Sequence, residues 1–309
     1  MNRKIYILLL IIFMLCGCNG TSIESTKFKI ISTNFPGYDF MNAIVYGNDN
    51  VDVKMLLSPG AEIHDFELTP QDIVNIKTCD MFIYVGGESD EWVLDVINDI
   101  DTSKTRVVKL MDLVSVVKEE VVDGMQVDDD EDEDEYDEHV WTSPKNAITI
   151  INKLTEIISS LDKENKSLYI ENGNNYIDSI RKIDDDIRKI VATANRKEMI
   201  FGDRFPFRYF VMEYGLSYYS AFSGCSHQTE ASAKTISFLI DKVREGNIPV
   251  IFQIELSNGS IANTIAKETG AKVLVFHSAH NVSKEDFDNN ITYVDIMEKN
   301  VNNLKEALK

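Results

Sequence analysis

Three of the five histidines stand where the pattern of the sequence favours a metal ligand. His64 and His277 follow predicted β-strands, and His139 comes directly after a dense run of carboxylates. A thiol and two carboxyl groups also follow predicted strands: Cys225, Asp203 and Glu255. Imidazole, thiolate and carboxylate groups are the usual protein ligands of transition metals. These residues predict a metal site, in which Glu255 and Asp203 are the weaker candidates; an ion pair with Arg204 is an equal alternative for Asp203.

No compact motif accompanies these residues. The sequence lacks H-E-x-x-H, a paired C-x-x-C and a glycine-rich phosphate loop, so the ligands must come together over long distances. Cys225 with His227 or His277 as a base would suit a nucleophilic enzyme, but no orienting third group is evident in the sequence. We therefore expect no enzymatic turnover, and we interpret His227 and His280 as ordinary loop residues.

Short apolar runs alternate with helical segments in both halves of the chain, which is the pattern of parallel sheets covered by helices. We predict an α/β fold with two parallel-sheet lobes, spanning residues 28–142 and 197–309. Ligands of open parallel sheets bind outside the carboxyl ends of the strands. Two lobes that face each other through those ends would place the candidate ligands in one interlobe cleft.

Residues 143–196 contain no predicted strand. Ser143 and Pro144 resemble a helix start, and apolar residues then recur every three or four positions as far as Ala194. We interpret this segment as a long rigid helix that joins the two lobes. A two-helix hairpin within one domain is the alternative.

Residues 128–138 contain ten carboxylates in eleven positions and dominate the formal net charge of −20. Such a run predicts a solvated loop, here placed at residues 119–138, with at most a weak role in collecting cations. Because the chain has no basic stripe to cover phosphates, we expect no binding to nucleic acid. His139 is the functional residue of this stretch, since it stands where the loop meets apolar sequence.

The amino terminus has the features of an export signal. Arg3 and Lys4 precede an eleven-residue apolar run at positions 5–15, which is too short to span a membrane comfortably. Small residues before Cys18 resemble a bacterial lipoprotein box. We predict a signal peptide at residues 1–18, lipidation of Cys18 and a tether at residues 19–27; an ordinary secretory signal is the alternative. Cys79 opens an apolar run and is expected to be buried and inert.

Seven stretches together resemble the metal-binding lipoproteins of ABC importers, the zinc and manganese type of solute-binding protein. They are residues 33–40 (TNFPGYDF), 58–60 with 64–67, 80–87 (DMFIYVGG), 138–144 (EHVWTSP), 209–210 with 214–216, 226–232, and 269–277. The resemblance implies two α/β lobes that are joined by a long helix and bind one metal ion between them. It also implies a monomer on the outer face of the bacterial membrane that hands the ion to a membrane permease.

The resemblance assigns ligands one by one. His64 and His139 match the two ligands of the first lobe, and His277 takes the place of an acidic fourth ligand. The third histidine is missing from residues 202–208, so Cys225, Asp203 or a water would replace it. Imidazoles with a thiolate favour Zn²⁺ as the transported ion, and Mn²⁺ or Fe²⁺ is the alternative if carboxylates take part. A surface adhesin with incidental histidines and a metal-dependent hydrolase are the rival interpretations.

Overall fold

A computed structural model describes residues 27–61, 66–127, 135–226 and 228–309. The predicted signal peptide with Cys18, His64, His227 and most of the acidic run lie outside these residues. The first half folds around four strands joined by helices. The elements are β1 (Phe28–Ser32), α1 (Phe35–Val45), β2 (Val51–Met55), α2 (Pro70–Thr78), β3 (Met81–Tyr84), α3 (Val93–Ile97) and β4 (Arg106–Lys109).

The first sheet is parallel throughout, in the order β2-β1-β3-β4. Ile30 on the central strand β1 pairs with Val53 of β2 and with Met81 of β3. All four residues of β3 are buried, because helices cover both faces of the sheet. Cys79, just before β3, is buried and free as predicted, and burial raises the pKa of its thiol to about 12.

The second half repeats this arrangement. Its sheet is also parallel, in the order β6-β5-β7-β8, so the two lobes share one topology. The elements are β5 (Glu198–Phe201), α6 (Arg208–Tyr214), β6 (Ser217–Ser220), α7 (Ala233–Gly246), β7 (Val250–Gln253), α8 (Ser260–Thr269), β8 (Lys272–Val275), α9 (Lys284–Asp288) and α10 (Tyr293–Ala307). The prediction of two parallel-sheet α/β lobes is confirmed.

Two packed helices occupy the linking segment, α4 (Pro144–Leu161) and α5 (Lys166–Ala192). The Ser143 side chain accepts a hydrogen bond from the backbone N–H of Asn146 and so caps α4, as its sequence predicts. The 27-residue helix α5 contacts α1 of the first lobe and both α6 and α10 of the second. The segment is therefore a helix pair, and its longer member spans both lobes.

One apolar core runs through both lobes and the helix pair. It includes Phe40 of α1, Ile180 of α5 and Phe252 of β7, none of which is measurably exposed. This continuity favours a rigid connection between the lobes. The described residues include no helix that is both long and apolar enough to cross a membrane.

Candidate metal centre

His139 is held rigidly at the edge of the first lobe. It precedes a single 3-10 turn, Val140–Thr142, in which Trp141 is fully buried. One carboxylate oxygen of Asp137 accepts the backbone N–H of His139 at 2.7 Å and lies 3.2 Å from its Nδ1. A proton on Nδ1 leaves the Nε2 lone pair available to a metal, which is the usual arrangement of a histidine ligand supported by a carboxylate.

His280 approaches His139 from the second lobe. The segment after β8 is attached to the first lobe by two hydrogen bonds: Trp141 Nε1 donates to the Ser278 carbonyl at 2.8 Å, and the Phe35 N–H donates to the His280 carbonyl at 3.2 Å. The ring centroids of His139 and His280 consequently lie 5.4 Å apart, nearly perpendicular to one another. Two imidazoles from different lobes thus converge.

These rings border a cavity of about 40 Å³ between the lobes, which is large enough for a single ion or a few water molecules. Its walls combine the loop after β2, His139 just before the linking segment and the carboxyl ends of β5, β7 and β8. The residues that line it are Ala61, His139, Arg204, Pro206, Gly224, Ile254, Glu255, Leu256, Ser278, His280 and Asn281. His64 lies outside the described residues, but Ala61, three positions before it in the sequence, is on the cavity wall.

His277 follows the last strand, β8, as predicted. It does not line this cavity; its Nδ1 accepts the Ala279 N–H at 2.9 Å, and its backbone N–H donates to Asn300 Oδ1 at 2.8 Å. Ala279 has a left-handed backbone with φ of 61°, which turns the chain so that His280 faces the cavity instead. The sequence contained His280 but no local signal that distinguished it from His277.

Cys225 lies beside His139 and Glu138. One potential ligand atom of each residue falls within 4.8 Å of the others, and all three side chains are buried. Glu138 accepts hydrogen bonds from the backbone N–H of Ser89, at 3.0 Å, and from its hydroxyl. This approach requires a glycine at position 87, because a Cβ there would lie 2.2 Å from Glu138 Oε2. Sequence reasoning missed Glu138 because it belongs to the acidic run.

The two weaker candidate ligands, Asp203 and Glu255, accept hydrogen bonds from backbone N–H groups. Asp203 accepts the N–H groups of Ile254 at 3.3 Å and of Arg204 at 2.9 Å, and it borders a separate cavity. Glu255 does border the cavity with His139 and His280. Its carboxylate accepts the N–H groups of Ser278 at 2.7 Å and of His280 at 3.2 Å, so it positions the segment that carries His280.

The electrostatic environment around His139 favours a cation. Burial lowers the pKa of the His139 imidazole, but the charges of Asp137, Glu138 and Glu119 raise it overall above the ordinary value of 6.5. Burial, with the charges of the same three carboxyl groups, raises the pKa of the Cys225 thiol well above 9. The thiol therefore keeps its proton unless a bound cation replaces it.

Two α/β lobes that enclose convergent imidazoles in a cleft define a bilobal solute-binding protein. The profile of the family described as "zinc-uptake complex component A periplasmic" (ZnuA) matches residues 30–307. The chain belongs to this family of zinc-uptake binding proteins, which confirms the resemblance seen in the sequence. Members of the family are components of transport systems.

Individual relatives agree with this assignment. The chain is 29% identical to the high-affinity zinc uptake system protein ZnuA of Bacillus subtilis, over 95% of this chain and 92% of that protein. It is 28% identical to the zinc-binding lipoprotein AdcA of Streptococcus pneumoniae over 99% of its own length, but it spans only 61% of AdcA.

Solved structures show the same fold. The metal-dependent lipoprotein YcdH of Bacillus subtilis is 31% identical, with a TM-score of 0.77 over 92% of this chain and all of that one. The Zn(II)-bound ZnuA-like domain of S. pneumoniae AdcA is 26% identical, with a TM-score of 0.75 over 91% of this chain and 99% of that one.

Proposed function

We propose that this protein captures one Zn²⁺ ion between its lobes and delivers it to the membrane permease of an ABC importer. The observation that carries the proposal is the convergence of His139 and His280, from different lobes, on a small buried cavity. Zn²⁺ binds imidazole nitrogen at roughly 2.0–2.1 Å and prefers four ligands. The names of the relatives, which are zinc-uptake and zinc-binding proteins, support the same ion.

We assign four donors to this ion: His64, His139, His280 and Cys225. His64 follows from the family resemblance and from the position of Ala61 on the cavity wall. His280 replaces His277 in the predicted set because its ring meets that of His139. Cys225 is retained because its sulfur lies within reach of the same histidine.

This donor set favours zinc over manganese. Nitrogen and sulfur ligands bind Zn²⁺ more tightly than Mn²⁺, whereas Mn²⁺ and Fe²⁺ sites have a larger share of carboxylate oxygen. Asp203 and Glu255, the carboxylates that would have shifted the balance, are engaged with backbone N–H groups. We therefore infer that Mn²⁺ and Fe²⁺ bind more weakly than Zn²⁺.

We infer that the protein captures the ion outside the cytoplasm. A lipid on Cys18 would hold the protein at the outer face of the cell membrane, beside the permease that receives the ion. Cells that lack this protein should recover zinc accumulation when they express the wild-type chain. The chain with both His139→Ala and His280→Ala should fail to restore it, and recovery with this variant would overturn the proposal.

Zinc titration tests the capture step. Metal-free protein spanning residues 19–309 should bind one Zn²⁺ per chain in competition with a chelating indicator. His64→Ala, His139→Ala and His280→Ala should each weaken binding by at least about tenfold, since each removes a direct ligand. His277→Asn is the matched control, because the amide can still accept the Ala279 N–H. Absence of a tight site would overturn the proposed function, and strong weakening by His277→Asn alone would reverse the ligand assignment.

Cobalt substitution tests Cys225 separately. A thiolate that coordinates Co²⁺ gives a charge-transfer band in the near ultraviolet, and the Cys225→Ser protein should lose this band. A wild-type cobalt spectrum without the band would remove Cys225 from the ligand set. Deletion of residues 128–134 should leave zinc affinity unchanged, because the acidic run is assigned at most an accessory role.

A further inference from the structure

A second and much larger cavity lies apart from the cleft. It has a volume of about 640 Å³ and is bounded by α1 of the first lobe, the linking helix α5 and the connection between α9 and α10 of the second lobe. This volume falls within the range of roughly 300–1,000 Å³ that is usual for small-molecule sites. The zinc proposal assigns no role to this cavity.

A buried carboxylate forms part of its wall. Asp39 is only 7% exposed, and its Oδ2 accepts hydrogen bonds from the Tyr176 hydroxyl and, at 3.2 Å, from the Tyr293 N–H. In the part of the chain that the structure describes, no hydrogen bond reaches the other oxygen, Oδ1. Burial raises the pKa of the Asp39 carboxyl to about 7. Burying an ionised carboxylate is unfavourable in free energy unless a cation or a hydrogen-bond donor contacts it.

Aromatic rings and amides form most of the remaining wall. Tyr38 and Phe287 lie 5.5 Å apart between ring centroids, at an interplanar angle of 32°. Tyr176 completes the inner aromatic surface, and the Tyr46 side chain stands at the rim with 77% of its surface exposed. Faces of aromatic rings attract cations and pack against flat ligands. Asn175 lines the same cavity and adds an amide hydrogen-bonding group.

We propose that this cavity binds a small organic amine, whose ammonium group meets Asp39 Oδ1 and whose ring packs among Tyr38, Tyr176 and Phe287. The charges are complementary, because the ammonium group is cationic and the ionised Asp39 carboxylate is anionic, and the ammonium group can donate a hydrogen bond to Oδ1. The ring fills a space that is too large for a bare metal ion and is lined by aromatic rings together with amide and hydroxyl side chains. The site is separate from the zinc cleft and does not depend on zinc binding.

Paired probes test the ammonium contact. Tyramine and 4-ethylphenol share a ring and chain length, but only tyramine has an amine; cyclohexylmethylamine and cyclohexylmethanol provide the same comparison for a saturated ring, and both amines are protonated at pH 8. Calorimetric titration of metal-free protein, residues 19–309, at pH 8 should show one amine bound per chain. Its affinity should exceed that of the neutral partner by at least tenfold. If neither amine binds more tightly than its neutral partner, the proposal is overturned.

Substitutions in the cavity test where the amine binds. Asp39→Asn keeps an oxygen for Tyr176 and Tyr293 and should reduce amine affinity to that of the neutral partner. Tyr46→Ala, at an exposed rim position, should weaken amine binding several-fold even if Asp39→Asn fails to fold. Tyr136→Ala is the matched control, because Tyr136 is 51% exposed and lies elsewhere. Loss of amine binding in His139→Ala or Tyr136→Ala, with retention in Tyr46→Ala, would contradict the assignment.

Discussion

The imidazole of His139 is buried, and a carboxylate lies within hydrogen-bonding distance of its Nδ1. Two further acidic residues are nearby. Asp137 orients the ring, and Glu138 and Glu119 add negative charge around it. The same charges that favour a metal cation also favour a proton on the ring. At the proposed site, zinc would therefore compete with protons for this residue.

Zinc affinity should fall as the pH is lowered. Displacement of the Cys225 proton should already lower affinity throughout this range. The onset of the steeper loss at His139 should lie nearer neutrality than for an ordinary histidine, because the folded-state pKa of His139 is raised above 6.5. At pH values below that pKa, affinity should decrease by up to about tenfold per pH unit for each proton displaced. Asp137→Asn removes the largest of the charges that raise this pKa, and should move the onset to lower pH. An onset that is identical in both proteins, measured by titration across pH 5–8, would contradict this account.

Arg204 places a positive charge on the wall of the proposed zinc cavity. Arg204→His removes this charge and adds a further imidazole from the second lobe. Zinc affinity should rise by at least about tenfold, equivalent to about 1.4 kcal/mol. Arg208→His is the control, because Arg208 does not line this cavity. Its Nη1 lies 2.9 Å from Oε2 of Glu120 instead. Unchanged or weaker zinc binding by Arg204→His would show that the guanidinium does not oppose the ion.

At the scale of elements, the helix pair α4 and α5 determines how firmly the lobes are joined. Buried isoleucines follow the apolar stripe on both helices, including Ile150 of α4 and Ile180 of α5. The helices approach closely at Gly173, where a Cβ would lie 2.6 Å from the Thr155 hydroxyl oxygen. Packing at this point depends on the absence of a side chain.

Gly173→Ala should therefore destabilise the protein. In an unconstrained helix interior the same change gains roughly 0.5–1 kcal/mol. Here the clash with Thr155 should lower the free energy of unfolding by about 1–3 kcal/mol in urea titration. Adding Thr155→Ala should recover most of this loss relative to Thr155→Ala alone. A more stable Gly173→Ala single variant would show that the helices can separate at no cost.

At the scale of the whole molecule, the segment after β8 is shared between the lobes. Asn281 Nδ2 donates to the carbonyls of Ser58, at 2.9 Å, and Ala61, at 2.8 Å, in the first lobe. The Gly60 N–H returns a bond of 2.8 Å to the Val282 carbonyl. The loop that leads to His64 is thus attached to the segment that carries His280.

Asn281→Ala should affect both stability and zinc binding. Loss of the bonds to two backbone carbonyls should cost about 1–3 kcal/mol of unfolding free energy, because these acceptors become unsatisfied. Zinc affinity should fall as well, since the two ligand segments lose their mutual attachment. Asn302→Ala is the control; its amide donates to the Glu298 carbonyl within the same helix, α10, and the change should stay within about 0.5 kcal/mol. Equal effects of the two variants would argue against a structural link between the segments.

Much of the fold was predictable from short-range patterns. Apolar runs marked the strands, and Ser143 with Pro144 marked the start of α4, because periodicity and capping act over a few residues. His139 was also recognisable, since it stands at the junction of a charged run and a buried tryptophan. The two-lobe α/β architecture follows from the order of these elements.

Contacts between distant segments were not predictable in the same way. That His280 borders the cavity and His277 does not depends on the turn at Ala279 and on hydrogen bonds from Phe35 and Trp141, which lie more than a hundred residues away. The cavity beside Asp39 likewise needs α1, α5 and the α9–α10 connection together. Local sequence encodes which elements form and which residues are chemically capable of binding. Packing between the lobes selects which of those residues face one another, because it sets the direction of each side chain.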